Sequence, residues 1–269
     1  MSSSGAQPVS PHRLAGLAVP GVPLVATAIH AGHDLRPEIA RLIALDDAER
    51  LREEDPFTDE WTVVAPLRVI GSVSRFEVDV NRPRDGAVYR TPADAWGLRV
   101  WKEQLPAGVV ERSLARYDTF FASMRELFDA MATQFGRFVV LDIHSYNHRR
   151  DGPDAPPADP ALNPEVNVGT SNMNRSAWAP VVDRFMNDLA LPDANGRRLD
   201  VRENVKFRGG HFSQWIHSTY GDAACSLAVE FRKFFMDECT GQPHGNEIDA
   251  VRVALESAVP GVLEEVKGL

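Results

Sequence analysis

Cysteine is nearly absent, with only Cys225 and Cys239 in a chain of 269 residues. One sits in an apolar run and the other follows an acidic pair, with no CxxC spacing, so neither a thiolate metal site nor a redox pair is built from them, and both read as reduced thiols. Long hydrophobic runs are also lacking. No stretch approaches the roughly 20 apolar residues that span a bilayer, which argues against a membrane protein. Basic charge is in deficit, at a net −9. A nucleic-acid footprint is normally a basic face, so the charge points to a small-molecule partner instead. The opening segment MSSSGAQPVSPHR has neither the basic nor the apolar region of a secretory signal. Cytoplasmic residence is the resulting expectation, with residues 1–18 a disordered lead-in to one domain over 19–269. Finally, no G-x-S-x-G elbow surrounds Ser145, so nothing supports a serine hydrolase.

What is present alternates between helix and strand periodicity. VPLVATAIH (22–30), TVVAPLRVI (62–70), SRFEVDV (74–80), RFVVLDIH (137–144) and ACSLAVEF (224–231) read as strands. Residues 35–54, 109–135 and 176–189 and a terminal helical pair read as helices, with Gly136 closing the second as a C-cap. The stretch DGPDAPPADPALNP (151–164) is too rich in Pro and Asp for regular structure and predicts a surface loop, a lid or a rim. FRGGH reads as a turn or a place where backbone comes close to a ligand. The pattern implies a single α/β domain, with a mixed, mainly parallel sheet flanked by helices.

In such a sheet, ligands bind beyond the carboxyl ends of the strands. Three predicted strands end there in chemically active side chains: His30, His144 and Glu230. Two histidines and one carboxylate, with a fourth position left open, are the usual plan of a catalytic zinc site. Asp142, two residues before His144, shares its strand face and is placed to partner an imidazole. Spacing alone does not choose the carboxylate ligand, since Asp34, Glu38, Glu53, Glu54, Asp55 and Asp59 all follow His30 within a short distance. An acidic run of this kind is more often a solvated surface than a ligand.

Taken together, IHAGHD, EEDPFTDEW, SRFEVDVNR, VVLDIHSYNHRR, NVKFRGGHFSQW and AVEFRK resemble the N-formylglutamate amidohydrolase family, a branch of the zinc carboxypeptidase and aspartoacylase superfamily. The resemblance spans about residues 22 to 240. It implies a zinc-carboxypeptidase-like (phosphorylase/hydrolase-like) fold and Zn2+ held by His30, Asp55 and His144. Glu54 is the nearest rival to Asp55. The superfamily's acidic ligand usually falls within three residues of its first histidine, whereas this chain has Asp34 only at the fourth.

The same resemblance implies roles for Arg75 in polarising the scissile carbonyl, for Asn81 and Arg82 in holding a substrate carboxylate, and for Glu230 as general base. These suit the chemistry. A guanidinium grips a carboxylate in a fork, and a partly buried glutamate has a pKa lifted toward the working range. The bland alternatives are surface arginines beside a loop, and a Glu230 paired with Arg232 or Lys233. His33, His148, His211 and His217 are expected to be bystanders. The implied activity is cleavage of the amide bond of a small N-acyl amino acid such as N-formylglutamate. Another N-acyl amino acid, a small peptide, or a non-catalytic carboxylate-binding role on the same fold stands as the alternative.

Overall fold

Apolar runs that are hydrophobic on successive residues can be buried only by covering both faces of a sheet, and three such runs form its centre. They lie within β2 (Leu24–Ala28), β4 (Phe138–Tyr146) and β7 (Ala224–Arg232). A computed structural model describes the backbone of residues 12–15 and residues 21–150, 152–154 and 156–269. With β1 (His12–Ala15), β3 (Leu67–Gly71), β5 (Val166–Gly169) and β6 (Val201–Glu203), the sheet runs β1-β3-β2-β4-β7-β5-β6. The β3-β2-β4-β7 block is parallel throughout, whereas β1 and β5 pair antiparallel to their neighbours β3 and β7. This is the mixed, mainly parallel sheet expected. β1 falls inside the segment expected to be disordered; the remainder of 1–18 lies outside the described residues.

Alternation along the central strands divides the core. Val139, Leu141 and Ile143 of β4 face α5 (Ala179–Leu189) and α7 (Gly245–Gly268), joining Phe185, Val251 and Leu255. Phe138 and Val140 face the other way, onto α4 (Ala107–Phe135), through Phe120, Met124 and Phe128. Each such fully buried side chain contributes roughly 1.5–3 kcal/mol of transfer free energy. Asp142 and His144 continue the Phe138–Val140 face. The polar residues therefore emerge where one core layer ends.

Several local expectations differ from the structure. SRFEVDV is not a strand: Glu77 and Val78 donate their backbone N–H groups to the Ser74 carbonyl, folding the segment into turns. Its alternation is deceptive, because Phe76, Val78 and Val80 are buried and so are Glu77 and Asp79. Residues 62–64 form a 3-10 turn, so that strand begins only at Leu67. The helix expected over 35–54 is broken into α1 (Pro37–Leu42) and α2 (Asp47–Glu53). Ile43 leaves the helix to bridge Trp101, and Asp46 with Glu49 forms a capping box that restarts it.

The terminal pair is one helix, α7, with Pro260 inside it. Its stripe Val251, Leu255, Ala258 and Val262 packs continuously across the proline, and that burial outweighs one missing hydrogen bond. The Gly-rich stretch opens a helix, α6 (His211–Tyr220), which places Phe212 and Ile216 in the core. A one-turn helix, α3 (Thr58–Trp61), completes the set. Residues 152–154 and 156–164 carry no helix or strand, as the loop expectation required.

Candidate active site

Every candidate residue comes from a carboxyl end of the parallel block or from a connection beside it. β2 runs out toward His30; β4 carries Asp142, His144 and Ser145; β7 carries Glu230. Within the ladder His144 pairs with Glu230 across β4 and β7, and Thr27 pairs with Asp142 across β2 and β4. Paired residues in a parallel sheet share a face, so topology sets Glu230 beside His144. The turns after β2 and β3 touch so closely that a Cβ on Gly32 would lie 2.3 Å from the Ser72 carbonyl carbon, and glycine is required there.

At the centre lies Asp55, just past the end of α2. Its Oδ2 is 3.0 Å from His144 Nδ1 and 3.5 Å from His30 Nδ1, and its Oδ1 accepts from Ser145 Oγ at 3.0 Å. Each imidazole is backed through its other nitrogen by a separate acid. His30 Nε2 bonds to Asp79 Oδ1 at 2.8 Å, and His144 Nε2 lies 3.1 Å from Asp142 Oδ2 in an ion-pair contact without hydrogen-bond geometry. Asp142 is itself held by Thr27 Oγ1, at 2.7 Å, and Asp79 by Arg75 and Tyr89. All of these acids are buried.

Two Nδ1 atoms therefore face one carboxylate, while the Nε2 atoms are engaged by carboxylates behind them. That is how histidine ligands of a metal are usually oriented. One ligand atom from each of His30, Asp55 and His144 falls within 4.8 Å of the others. A two-histidine, one-carboxylate set that is buried and backed in this way fits a divalent cation.

The electrostatics follow the same layout. Burial pushes the Asp55 carboxyl up, but the hydrogen bonds and charges of His144 and His30 outweigh it and hold the group well below the usual range. Asp79 is likewise held low against its burial, chiefly by Arg75 and then His30. For His144, burial opposes protonation, yet the close Asp142 carboxylate and the hydrogen bond to Asp55 raise its pKa well above normal. Glu230 behaves in the opposite way. Burial pushes it up to about 7, against the His144 charge, and the Asp55 and Asp142 charges add to the rise.

A cavity of about 230 Å³ opens onto this group, bordered by His30, Asp55, His144, Glu230, Arg75 and Asn81. Among the described residues no group bonds to the Glu230 carboxylate: Arg232 is bonded to the Asn163 carbonyl, and Lys233 donates to the carbonyls of Arg52 and Glu54. Arg75 is fixed by Tyr89, the Glu53 carbonyl and Asp79. Glu54 belongs to a different network, accepting from Ser74 and meeting His33 Nδ1 at 2.5 Å, away from the two central imidazoles.

Arg82 does not border the cavity. It stacks on Tyr89 at 4.6 Å and sits 3.5 Å from Asp79. His33, His148, His211 and His217 are likewise engaged outside the cavity, with Arg50, Glu238, Tyr117 and the Ser226 N–H respectively. The described residues of 152–164 border it nowhere either, although Arg150 just before them does.

Several groups here were missed from sequence. Asp79 was hidden inside a false strand, and its one signal was a second acid amid alternating apolar residues. Ser145, Arg150 and Lys233 carry no local pattern that points to this cavity.

No curated protein sequence matches the chain. Among solved structures, N-formylglutamate amidohydrolase from Ralstonia eutropha superposes with a TM-score of 0.76 at 18% identity, covering 97% of this chain and 100% of that one. A gene product of Agrobacterium tumefaciens superposes with a TM-score of 0.64 at 17% identity, covering 96% and 97%. Likeness at such identities speaks for the fold. The sequence model of the N-formylglutamate amidohydrolase family, however, matches residues 22–236, most of the chain and every strand of the parallel block, and the chain belongs to that family.

Proposed function

We propose that the chain is a zinc-dependent amidohydrolase that cleaves the amide bond of a small N-acyl amino acid, with N-formylglutamate as its substrate. The observation that carries this reading is the facing of His30 Nδ1 and His144 Nδ1 on Asp55, beside a Glu230 carboxyl that bonds to no described residue. His30, Asp55 and His144 would hold the ion, which when bound acidifies a water and polarises a carbonyl.

The chain's own groups supply the rest. Glu230 takes the proton from the attacking water and returns it to the departing amine nitrogen, a task suited to a carboxyl lifted to about 7 by burial. Arg75 presents a guanidinium whose orientation is fixed by Asp79 and Tyr89, and it meets the carbonyl oxygen as negative charge grows there. Asn81 offers its side-chain amide to a substrate carboxylate. Arg82 lies one layer behind, lending positive charge to Asp79 and Tyr89.

Metal content and deformylation of N-formylglutamate, measured together, test the reading. About one zinc per chain, lost in His30→Ala and His144→Ala, with turnover that disappears in Glu230→Gln while zinc is retained, is the expected result. A chain that takes up no zinc sinks the mechanism. Zinc without turnover of N-formylglutamate or of N-acetyl and peptide analogues would leave a carboxylate-binding role in its place.

A further inference from the structure

Trp96 is a bulky residue held where bulky residues seldom stay. Its backbone lies in the left-handed region, at φ +53° and ψ +25°. Two other described non-glycine residues share that region, and each has a local reason: the Phe57 ring packs against the core on Phe235, and asparagine tolerates the conformation at Asn204. Trp96 has neither reason, since it is 46% exposed. The surrounding chain nevertheless fixes it. Asp94 accepts from the N–H groups of Arg90 and Thr91 at the head of the 3-10 turn Pro92–Ala95, and Gly97, at φ +96°, returns its N–H to the Pro92 carbonyl at 2.7 Å. Backbone strain of this kind gathers at functional sites.

The indole stands at the rim of the cavity that holds His30, Asp55 and His144. The Arg75 guanidinium lies over the ring, 4.8 Å from its centre, with those of Arg150 and Arg82 each at 5.9 Å, and the Tyr89 ring meets it edge to face at 6.1 Å. Guanidinium groups attract the electron-rich face of an indole, so the ring is held as a wall. Arg75 is the group that meets the scissile carbonyl oxygen in the reading above. The part of a substrate nearest this wall is therefore the acyl group, across the amide from the carboxylate at Asn81. The cavity is also small, at about 230 Å³, against roughly 300–1,000 Å³ for pockets that take drug-sized ligands.

We propose that Trp96 is a specificity-determining residue whose indole closes the acyl side of the cavity and confines the substrate to short acyl groups such as formyl. The inference deepens the amidohydrolase reading and rests on it for the reaction. A longer alkanoyl chain is rejected because it enters only by displacing the ring from its guanidinium contacts. A ring that merely steadied Arg75 would act differently, changing the turnover of every acyl length alike.

Trp96→Gly removes the ring and suits the backbone, because glycine adopts positive φ without strain. With zinc supplied, the full-length chain is assayed on N-formyl-, N-acetyl- and N-hexanoyl-L-glutamate. Wild type should prefer the formyl over the hexanoyl substrate in kcat/KM by at least about 100-fold, and Trp96→Gly should narrow that ratio at least about tenfold. Trp96→Phe, which keeps a ring, should stay within about threefold of the wild-type ratio. A wild type without the preference, an unaltered ratio in Trp96→Gly, or an equal fall for all three substrates overturns the proposal. Binding gives a readout free of turnover. Trp96 is the exposed member of five tryptophans, so indole emission of Glu230→Gln should change as N-formyl-L-glutamate binds, and adding Trp96→Phe should remove the change. By calorimetry N-hexanoyl-L-glutamate should bind Glu230→Gln at least about tenfold more weakly than the formyl ligand, and adding Trp96→Gly should abolish that difference. If binding selects short acyl groups through Trp96 but wild type hydrolyses none of the three, the wall stands and the hydrolase reading fails. If none of them binds or is hydrolysed, both fall.

Discussion

His144 Nδ1 and Asp55 Oδ2 stand 3.0 Å apart although 89 positions separate them in the chain. One is anchored on a strand buried at all nine positions, and the other on the turn that ends α2. Ser145 Oγ, on the opposite face of that strand's end, reaches the second Asp55 oxygen, so both oxygens of the acid are oriented from β4. A carboxylate held in this way loses little freedom when a cation arrives.

Asp55 and Glu54, adjacent and both buried, should respond differently to loss of charge. Asp55→Asn is expected to abolish stoichiometric zinc binding while the fold survives. Glu54→Gln should keep the zinc but lower stability by about 1–3 kcal/mol, because the contacts with Ser74 and His33 are weakened. Elemental analysis and a thermal melt on both variants check this, and zinc lost only from Glu54→Gln would reverse the assignment.

Asp142 backs His144 at its Nε2 and lies outside the His30, Asp55 and His144 group. Asp142→Asn should weaken zinc binding by about 10- to 100-fold, as loss of a partner behind a histidine ligand generally does. The Thr27 bond is retained in the amide, so the fold should hold. Competition with a zinc-sensitive chelator gives the affinity; an unaltered value would show that Asp142 does not orient the ring.

Glu230 ties activity and stability to pH in opposite senses. Its carboxyl titrates at about 7 in the folded, metal-free chain against 4.5 ordinarily, because burial penalises the charged form. The folded state therefore binds the extra proton more tightly. The stability this brings is fully present below about 4.5 and is lost as pH rises through about 7. Metal-free Glu230→Gln should accordingly be more stable than wild type at pH 8, with the difference vanishing toward pH 4. If Glu230 is the base proposed, it must be ionised in the zinc-loaded chain, so kcat/KM should fall roughly tenfold per pH unit on the acid side. The nearby cation places that limb at or below about 7. Denaturation curves and a pH–rate profile separate the two effects.

Lys233 is a buried cation that holds the end of α2, donating to the carbonyls of Arg52 and Glu54, and burial draws its pKa down to about 8. Lys233→Met leaves both carbonyls without this donor and should cost about 2–4 kcal/mol. Asp55 follows directly in the chain, so zinc affinity should drop as well. Calorimetric unfolding with and without zinc tests both parts; a fall in stability at constant zinc affinity would make Lys233 structural only.

Much of the architecture was legible because burial is written locally. Leu24–Ala28, Phe138–Tyr146 and Ala224–Arg232 each contain a run that is apolar on successive residues (24–26, 138–141 and 227–229), a pattern that a strand covered on both faces accommodates. The stripe from Tyr117 to Met131 reads as a helix for the same reason. Short elements were not legible: β5 and β6 have four and three residues, too few for periodicity to register. SRFEVDV carries a strand's alternation, but its acids are buried by long-range partners, Glu77 by Arg36 and Arg116 and Asp79 by Arg75 and His30.

The sequence alone determined that His30, His144 and Glu230 come to one edge of a sheet, because each ends an apolar run and parallel strands deliver their carboxyl ends together. The sequence left Asp55 and Glu54 as rivals for the place between the histidines, and tertiary structure decided between them, as it decided where the nearby arginines lie. Those outcomes depend on distances across connections of dozens of residues, where Asp55 turns inward and Glu54 toward Ser74, and where Arg82 lies down on Tyr89. Side chains one position apart in sequence point in different directions, and only the packed backbone selects which of them meets the cavity.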